Sequence, residues 1–313
     1  MSDQARILCC GEALIDMIPA EIEPGVHAFQ PCSGGAVFNT AVALGRLGVG
    51  TEFLTGLSSD MFGQQLQDFL AESGVATSLC KRSDRPTTLA FVKLENGHAS
   101  YFFYDENSAG RMIALEDVGE VPDTIEAVFF GGISLAVEPC ARTYEALCAR
   151  EAAGHLVMID PNVRPGFIAD ADVYRTRING MFAHADIVKL SDEDLNWMMP
   201  DAASLDEQVK AVLATGPAIL LVTKGAEGAT AYLADGREVS VVSERVEVVD
   251  TVGAGDTFNA GILAKLAELN LLSKDAVRTI SDDQMREALG FASKVAAINV
   301  SRKGANPPWR KEL

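Results

Sequence analysis

The sequence predicts an α/β protein: a central, mostly parallel β-sheet flanked by helices, with a second, small β-sheet separate from it. Three observations lead there. Short apolar runs bounded by turn residues, such as Ala127 to Ile133, Leu156 to Asp160 and Ala218 to Thr223, read as strands buried on both faces. Segments with helical apolar spacing stand between them, which is the rhythm of a parallel sheet. Two stretches break that rhythm. Residues 17–32 carry Pro19, Pro24, Gly25 and Pro31, and residues 86–109 hold Asn96-Gly97 between two β-rich runs, a strong hairpin signal. Residues 1–16, 33–85 and 110–313 are therefore assigned to the core, and 17–32 and 86–109 to the small sheet.

Bulk properties narrow the function. With 313 residues, 48% of them hydrophobic, the chain can bury a sizeable core. Acidic residues outnumber basic ones 44 to 26, and the net charge of -18 argues against nonspecific binding to nucleic acid or anionic membranes. Met1 to Arg6 is polar and runs into a strand, and no apolar run approaches the ~18 residues of a membrane span, so a cytoplasmic protein is expected. The six cysteines form no C-x-x-C pair and no metal-ligand grouping with the four histidines, which reads as buried reduced thiols.

The candidate chemistry sits where strands end. Arg245 to Val249 alternates like a strand, Phe258, Ile262, Leu263 and Leu266 recur at helical spacing, and Asp250-Thr251-Val252-Gly253-Ala254-Gly255-Asp256-Thr257 lies between. Gly253 and Gly255 remove Cβ atoms, so the amides around Ala254 can converge on an anion at a positive helix end, a phosphate cradle. Asp256 stands at its mouth. It reads either as the helix cap or as a general base that takes a proton from a hydroxyl while the amides hold a transferring phosphoryl group.

Five other segments join this one. Asp16 follows the first strand, Arg6 to Cys10, and its turn at Gly11. Ser33-Gly34-Gly35 opens a helix with Asn39 in its first turns, where an amide can both donate to and accept from a polyol. Asp160-Pro161-Asn162-Val163-Arg164-Pro165 ends a strand at the edge where doubly wound sheets bind ligands; it reads as a turn with an Asp-Arg ion pair, or as a site in which Arg164 meets transferred charge. Lys189-Leu190-Ser191-Asp192-Glu193-Asp194 is a strand followed by acid-rich capping or a metal approach. Thr223-Lys224-Gly225-Ala226-Glu227-Gly228 is a glycine-bearing turn.

The block Asp250 to Phe258 resembles the second signature of the ribokinase-like, PfkB-type family of carbohydrate kinases. Ser33 to Gly48 resembles the first, and the resemblance covers essentially the whole chain. It implies a ribokinase-like core under a β lid, with Asp256 as catalytic base, the Gly253, Ala254 and Gly255 amides as the anion hole, and Arg164 beside the transferred phosphate. Asp16, Gly34, Gly35, Asn39, Phe103, Asn162, Arg164 and Asp256 would surround the sugar. Lys189, Ser191, Thr223, Gly225, Gly228, Gly253 and Gly255 would surround ATP.

Relatives carry N-E-x-E where this chain has Ser191 and Asp194, so Asp194 is the candidate for holding Mg²⁺ through water. Some members also bind a monovalent cation, K⁺, near Asp250, and the lid often serves as a homodimer interface. Asp105 stands where members acting on keto-deoxy sugar acids tend to carry arginine, which favours a neutral sugar. Tyr101 to Ala109 and Asp160 to Arg164 look most like bacterial members that act on fructose. The expected activity is ATP-dependent phosphorylation of a neutral sugar, D-fructose to fructose 6-phosphate. A 2-keto-3-deoxy-gluconate kinase is the alternative, and a catalytically silent sugar or nucleotide sensor ranks below it. There is no Walker motif and no G-x-G-x-x-G opening a helix, so phosphate binding falls to helix-end amides and a dinucleotide site is disfavoured.

Overall fold

The computed structural model describes residues 6–95 and 98–313, with the backbone alone at 93–95 and 98–101. The Asn96-Gly97 turn, the polar residues 1–5 and the ring of Tyr101 lie outside the described residues.

Four buried residues make β1 (Ile7–Cys10). Ile7 and Cys9 enter the core on one face of the main sheet, Leu8 and Cys10 the core on the other, because successive strand side chains point to opposite faces. The chain leaves this sheet at once through β2 (Leu14–Glu23) and β3 (Val26–Gly34), then returns along α1 (Ala36–Arg46). β4 (Thr51–Leu54), β5 (Gly56–Ser58), α2 (Met61–Glu72), β6 (Val75–Ala76) and β7 (Lys81–Ser83) follow. The chain leaves the main sheet after β4 at Thr55, and β5 turns away to pair with β7. Asp60 caps α2 by accepting the Gly63 N–H at 2.7 Å. β8 (Thr88–Glu95) and β9 (His98–Tyr104) complete a separate four-stranded sheet in the order β3-β2-β8-β9. Asp16 lies inside β2 and not in a loop after β1.

Strands and helices then alternate: β10 (Ala127–Gly131), α3 (Cys140–Glu151), β11 (Leu156–Asp160), α4 (Ala171–Phe182), β12 (Ile187–Ser191), α5 (Asp192–Met198), α6 (Leu205–Leu213) and β13 (Ile219–Thr223). β14 (Ala229–Leu233) and β15 (Glu238–Val241) add an antiparallel edge, before α7 (Ala254–Glu268), α8 (Lys274–Arg278) and α9 (Asp282–Val300). The main sheet has nine strands in the order β15-β14-β13-β12-β11-β10-β1-β4-β6, parallel from β13 to β6. Residues of α1, α2, α7 and α9 cover one face and residues of α3 to α6 the other, which is why the strands are continuously apolar. No described helix is long and apolar enough to cross a membrane.

Arg245 to Val249, expected as a strand, is irregular. Its alternation finds no ladder: the Val249 and Asp250 N–H groups both donate to the Val300 carbonyl at the end of α9, at 2.8 and 3.2 Å, and Val248 and Val249 stay exposed.

Every residue of α7 from Asp256 to Ala267 is buried, with α1 on one side and α9 on the other. The approach to α9 depends on Gly261, where a Cβ would stand 2.5 Å from Ala292 Cα and 2.8 Å from Val295 Cγ2. Gly261→Val should therefore push α7 off α9 and cost about 1–3 kcal/mol of overpacking. Urea or thermal unfolding reads that loss, and unchanged stability would contradict the packing described.

Candidate active site

A cleft of about 280 Å³ opens between the carboxyl ends of the main-sheet strands and the small sheet. Asp16, Asn39, Phe103, Asn162, Arg164 and Asp256 line it together with Gly35 and the segment Thr251 to Gly255. Residues far apart in the chain meet here because strands of both sheets, the loop after β11 and the first turns of α1 and α7 converge on it.

The glycine turn is left-handed at Gly253 (φ 74°), and α7 begins at the next residue. A Cβ on Gly253 would stand 2.8 Å from that of Ala305, and one on Gly255 3.1 Å from Lys189 Nζ. The helical ladder opens at Thr257, whose N–H donates to the Gly253 carbonyl at 2.8 Å, so the Gly255 and Asp256 amides precede it. An oxyanion at this end meets backbone donors and the positive end of the helix dipole.

Asp256 is 6% exposed, and its Oδ2 accepts the Asn39 Nδ2 hydrogen at 2.9 Å. Burial pushes its pKa up to about 7; Asn39 opposes that, Asp160 adds to it, and Lys189 and Arg164 counter it. Thr40 Oγ1 also donates to the Asp256 carbonyl at 3.2 Å, which ties α1 to α7. Such a carboxylate is held in one orientation and exchanges a proton near neutrality, which suits general-base work. It does not serve as the cap of α7, whose N-cap is Gly253.

Around the cradle, Asp16 is likewise pushed up to about 7 by burial. A Cβ on Gly34 would overlap its carboxylate, which gives that glycine its reason. Gly35 has φ 112°, and a Cβ there would come within 2.9 Å of the Glu12 carbonyl oxygen. Asn162 adopts φ 45° and directs the chain so that Arg164 reaches the cleft. Arg164 Nη1 donates to the Val163 carbonyl at 3.1 Å, and among the described residues no carboxylate pairs with it. The Asp160–Arg164 ion pair is therefore absent from this turn; Asp160 Oδ1 accepts the Asn162 N–H at 3.0 Å instead. Phe103, on β9, packs on Phe167 at 4.6 Å and brings the small sheet to the cleft.

Other candidates stand outside the lining. Lys189 is 3% exposed and lies beneath the cradle, with Nζ 2.9 Å from Asp160 Oδ2. Ser191 caps α5 by accepting the Asp194 N–H at 2.9 Å. Asp194 in turn accepts from the Val163 and Ser191 amides, at 3.1 and 3.4 Å, and so holds the Asn162–Arg164 loop to α5. Thr223 is the register partner of Ser191 at the ends of β13 and β12. Beyond it the turn needs Gly225 (φ 52°) and Gly228 (φ 110°), where a side chain would run into the Val241 carbonyl. Among the described residues no three acid, His or Cys side chains form a metal cage.

Asp105 is corrected by its surroundings. It is buried outside the cleft lining, and Arg111 Nη1 donates to its Oδ1 at 3.0 Å, so it is paired within the protein and is not among the residues that line the cleft. Sequence reasoning also passed over Glu12 and Asn259. Glu12 Oε1 accepts the Ala36 N–H at 2.9 Å and Oε2 the Ser134 N–H at 3.2 Å, fastening the start of α1 to the turn after β10. The available signal was a carboxylate directly after a fully apolar strand.

A model of the pfkB family of carbohydrate kinases matches residues 4–312. The chain belongs to this family. The kinase is 52% identical over 282 residues to a fructokinase of Rhizobium leguminosarum bv. trifolii, a match covering 90% of this chain and 85% of that one. It is similar to the crystal structure of fructokinase with bound ATP from Xylella fastidiosa, with 34% identity, a TM-score of 0.88, and 96% and 93% of the two chains covered. It is also similar to fructokinase from Vibrio cholerae O395 in a fructose, ADP and calcium ion bound form, with 26% identity, a TM-score of 0.82, and 97% and 95% covered. The kinase is accordingly an ATP-dependent phosphotransferase acting on a sugar hydroxyl.

Glu12→Gln leaves one of the two amides facing a donor in place of an acceptor. The expected loss is about 1–3 kcal/mol of stability, measured by denaturant unfolding; a variant as stable as the parent would show that the clamp is dispensable.

Proposed function

We propose that this kinase phosphorylates the 6-hydroxyl of D-fructose with Asp256 as general base. The observation that carries the reading is the placement of Asp256: a buried carboxylate, oriented by Asn39, at the mouth of the glycine cradle on α7. The sugar hydroxyl gives its proton to Asp256 as its oxygen bonds to the γ-phosphorus and the bond to the ADP oxygen breaks. The Gly253 to Asp256 amides and Arg164 stabilise the charge on the transferring group. Asp16, Gly35, Asn39 and Asn162 hold the sugar from the strand ends, and Phe103 covers it from the lid. Gly34 keeps Asp16 in place. The ATP chain would extend from the cradle along the ends of β12 and β13, past Ser191, Thr223, Gly225 and Gly228.

Mg²⁺ would be held through water by Asp194, whose carboxylate keeps lone pairs beyond its two amide bonds, and it supplies charge neutralisation to the polyphosphate. K⁺ is assigned to the loop that Asp250 closes by accepting from the Val252 and Gly304 amides. A homodimer through the lid is supported by its exposed aromatics: Phe29 is 47% and Tyr104 65% exposed, both edge-on to Phe91. A cytoplasmic location suits an acidic kinase drawing on ATP.

Fructose is favoured by the 52% identical fructokinase. One observation favours 2-keto-3-deoxy-gluconate: Arg164 reaches the cleft with no carboxylate partner, and Asp105 does not oppose an acid there. ADP release with D-fructose, 2-keto-3-deoxy-gluconate, D-ribose and adenosine separates these readings; fructose should have the highest kcat/KM, and preference for the keto acid would sink the fructose assignment. Asp256→Asn should lower kcat by about 10² to 10⁴ while ATP still binds. The wild-type kcat/KM should fall as pH drops below about 7, because protonation removes the base. Full turnover in the variant would remove Asp256 from this role.

A further inference from the structure

We infer that Lys189 and Asp160 are positioning residues of this kinase, a buried charge pair beneath the phosphate cradle whose opposed charges set the proton affinity of Asp256. The inference rests on the reading of Asp256 as general base.

Both members of the pair are enclosed, Asp160 at 1% and Lys189 at 3% exposure. Asp160 Oδ2 accepts from Lys189 Nζ at 2.9 Å and from Asn259 Nδ2 at 2.7 Å, and Oδ1 accepts the Asn162 N–H at 3.0 Å. Asn259 lies one turn beyond Asp256 on α7, so the pair is fastened to the helix that carries the base. The Lys189 ammonium lies so close under Gly255 that a Cβ there would stand 3.1 Å from Nζ. Burial opposes charge on Lys189, but Asp160 and then Asp194 outweigh it and raise its pKa above the usual lysine value, so it is an ammonium at neutral pH.

A buried ion pair is a poor source of stability, because desolvation offsets the attraction and an apolar pair of similar size does as well. What only charges supply is a field. Asp160 on β11 disfavours ionisation of Asp256, while Lys189 on β12 and Arg164 after β11 favour it. Asn39 on α1 donates to the carboxylate, and Glu12 and Asp16 are the other carboxylates lining the cleft. With both members present their effects on Asp256 oppose each other. With one removed, the other acts alone in a dry site.

The test is the pH profile of kcat/KM for the sugar in Lys189→Met, Asp160→Asn, the double variant and wild type, with folding checked by circular dichroism. Lys189→Met should move the acid limb up, and Asp160→Asn should move it down, each by about one pH unit or more. The double variant should return it to near the wild-type position. If Lys189→Met does not fold, Asp160→Asn and the double variant still decide, since one shifts the limb and the other restores it. Rates that fall with no movement of the limb, or with movement in one direction only, would reduce the pair to a structural role and overturn the inference. Full turnover by Asp256→Asn would overturn the base assignment instead, so the two failures are distinct.

Discussion

The constraint on which the rest depends is that α7 must be buried along its length and open at its first turn. A helix wrapped on all sides offers ligands only its end, and here that end carries unladdered amides and a carboxylate. Burial fixes the direction of the dipole. It also strips water from Asp256, which raises its proton affinity into the neutral range. Gly261 allows the close approach of α9, and Gly253 allows the left-handed entry that aims the amides at the cleft. Packing and chemistry are thus set by the same few glycines.

The sheet supplies the other half of the site. Asp160, Ser191 and Thr223 end three adjacent parallel strands, so a groove along their carboxyl edge collects side chains from widely separated parts of the chain. Asp194 and Glu12 act as fasteners, each holding two backbone amides from neighbouring segments. The small sheet contributes Asp16 and Phe103 from strands that never enter the main sheet. Phe103 against Phe167 joins the small sheet to the turn that follows β11.

Much of this was legible in the sequence where short-range physics decides. Apolar runs such as Leu156 to Asp160 mark doubly covered strands, and paired glycines mark places where backbone must come close. Partner choice was less legible. Arg245 to Val249 alternates like a strand, yet it finds only the end of α9 to bond with. Asp105 looked available to a substrate until the fold paired it with Arg111. Lys189 reads as a cation at a strand end for the nucleotide, and only the register of β11 beside β12 buries it against Asp160. Ionisable residues inside strands carry little local signal, because their meaning is set by long-range neighbours.

The account turns on the state of one carboxyl group, and direct titration of Asp256 by ¹³C NMR tests it most closely. The free kinase, labelled at aspartate and assigned by comparison with Asp256→Asn, should show this carboxyl changing protonation near pH 7. A midpoint in the ordinary aspartate range, about 4, would mean that the cradle is open to water and that the buried helix end does not poise the base.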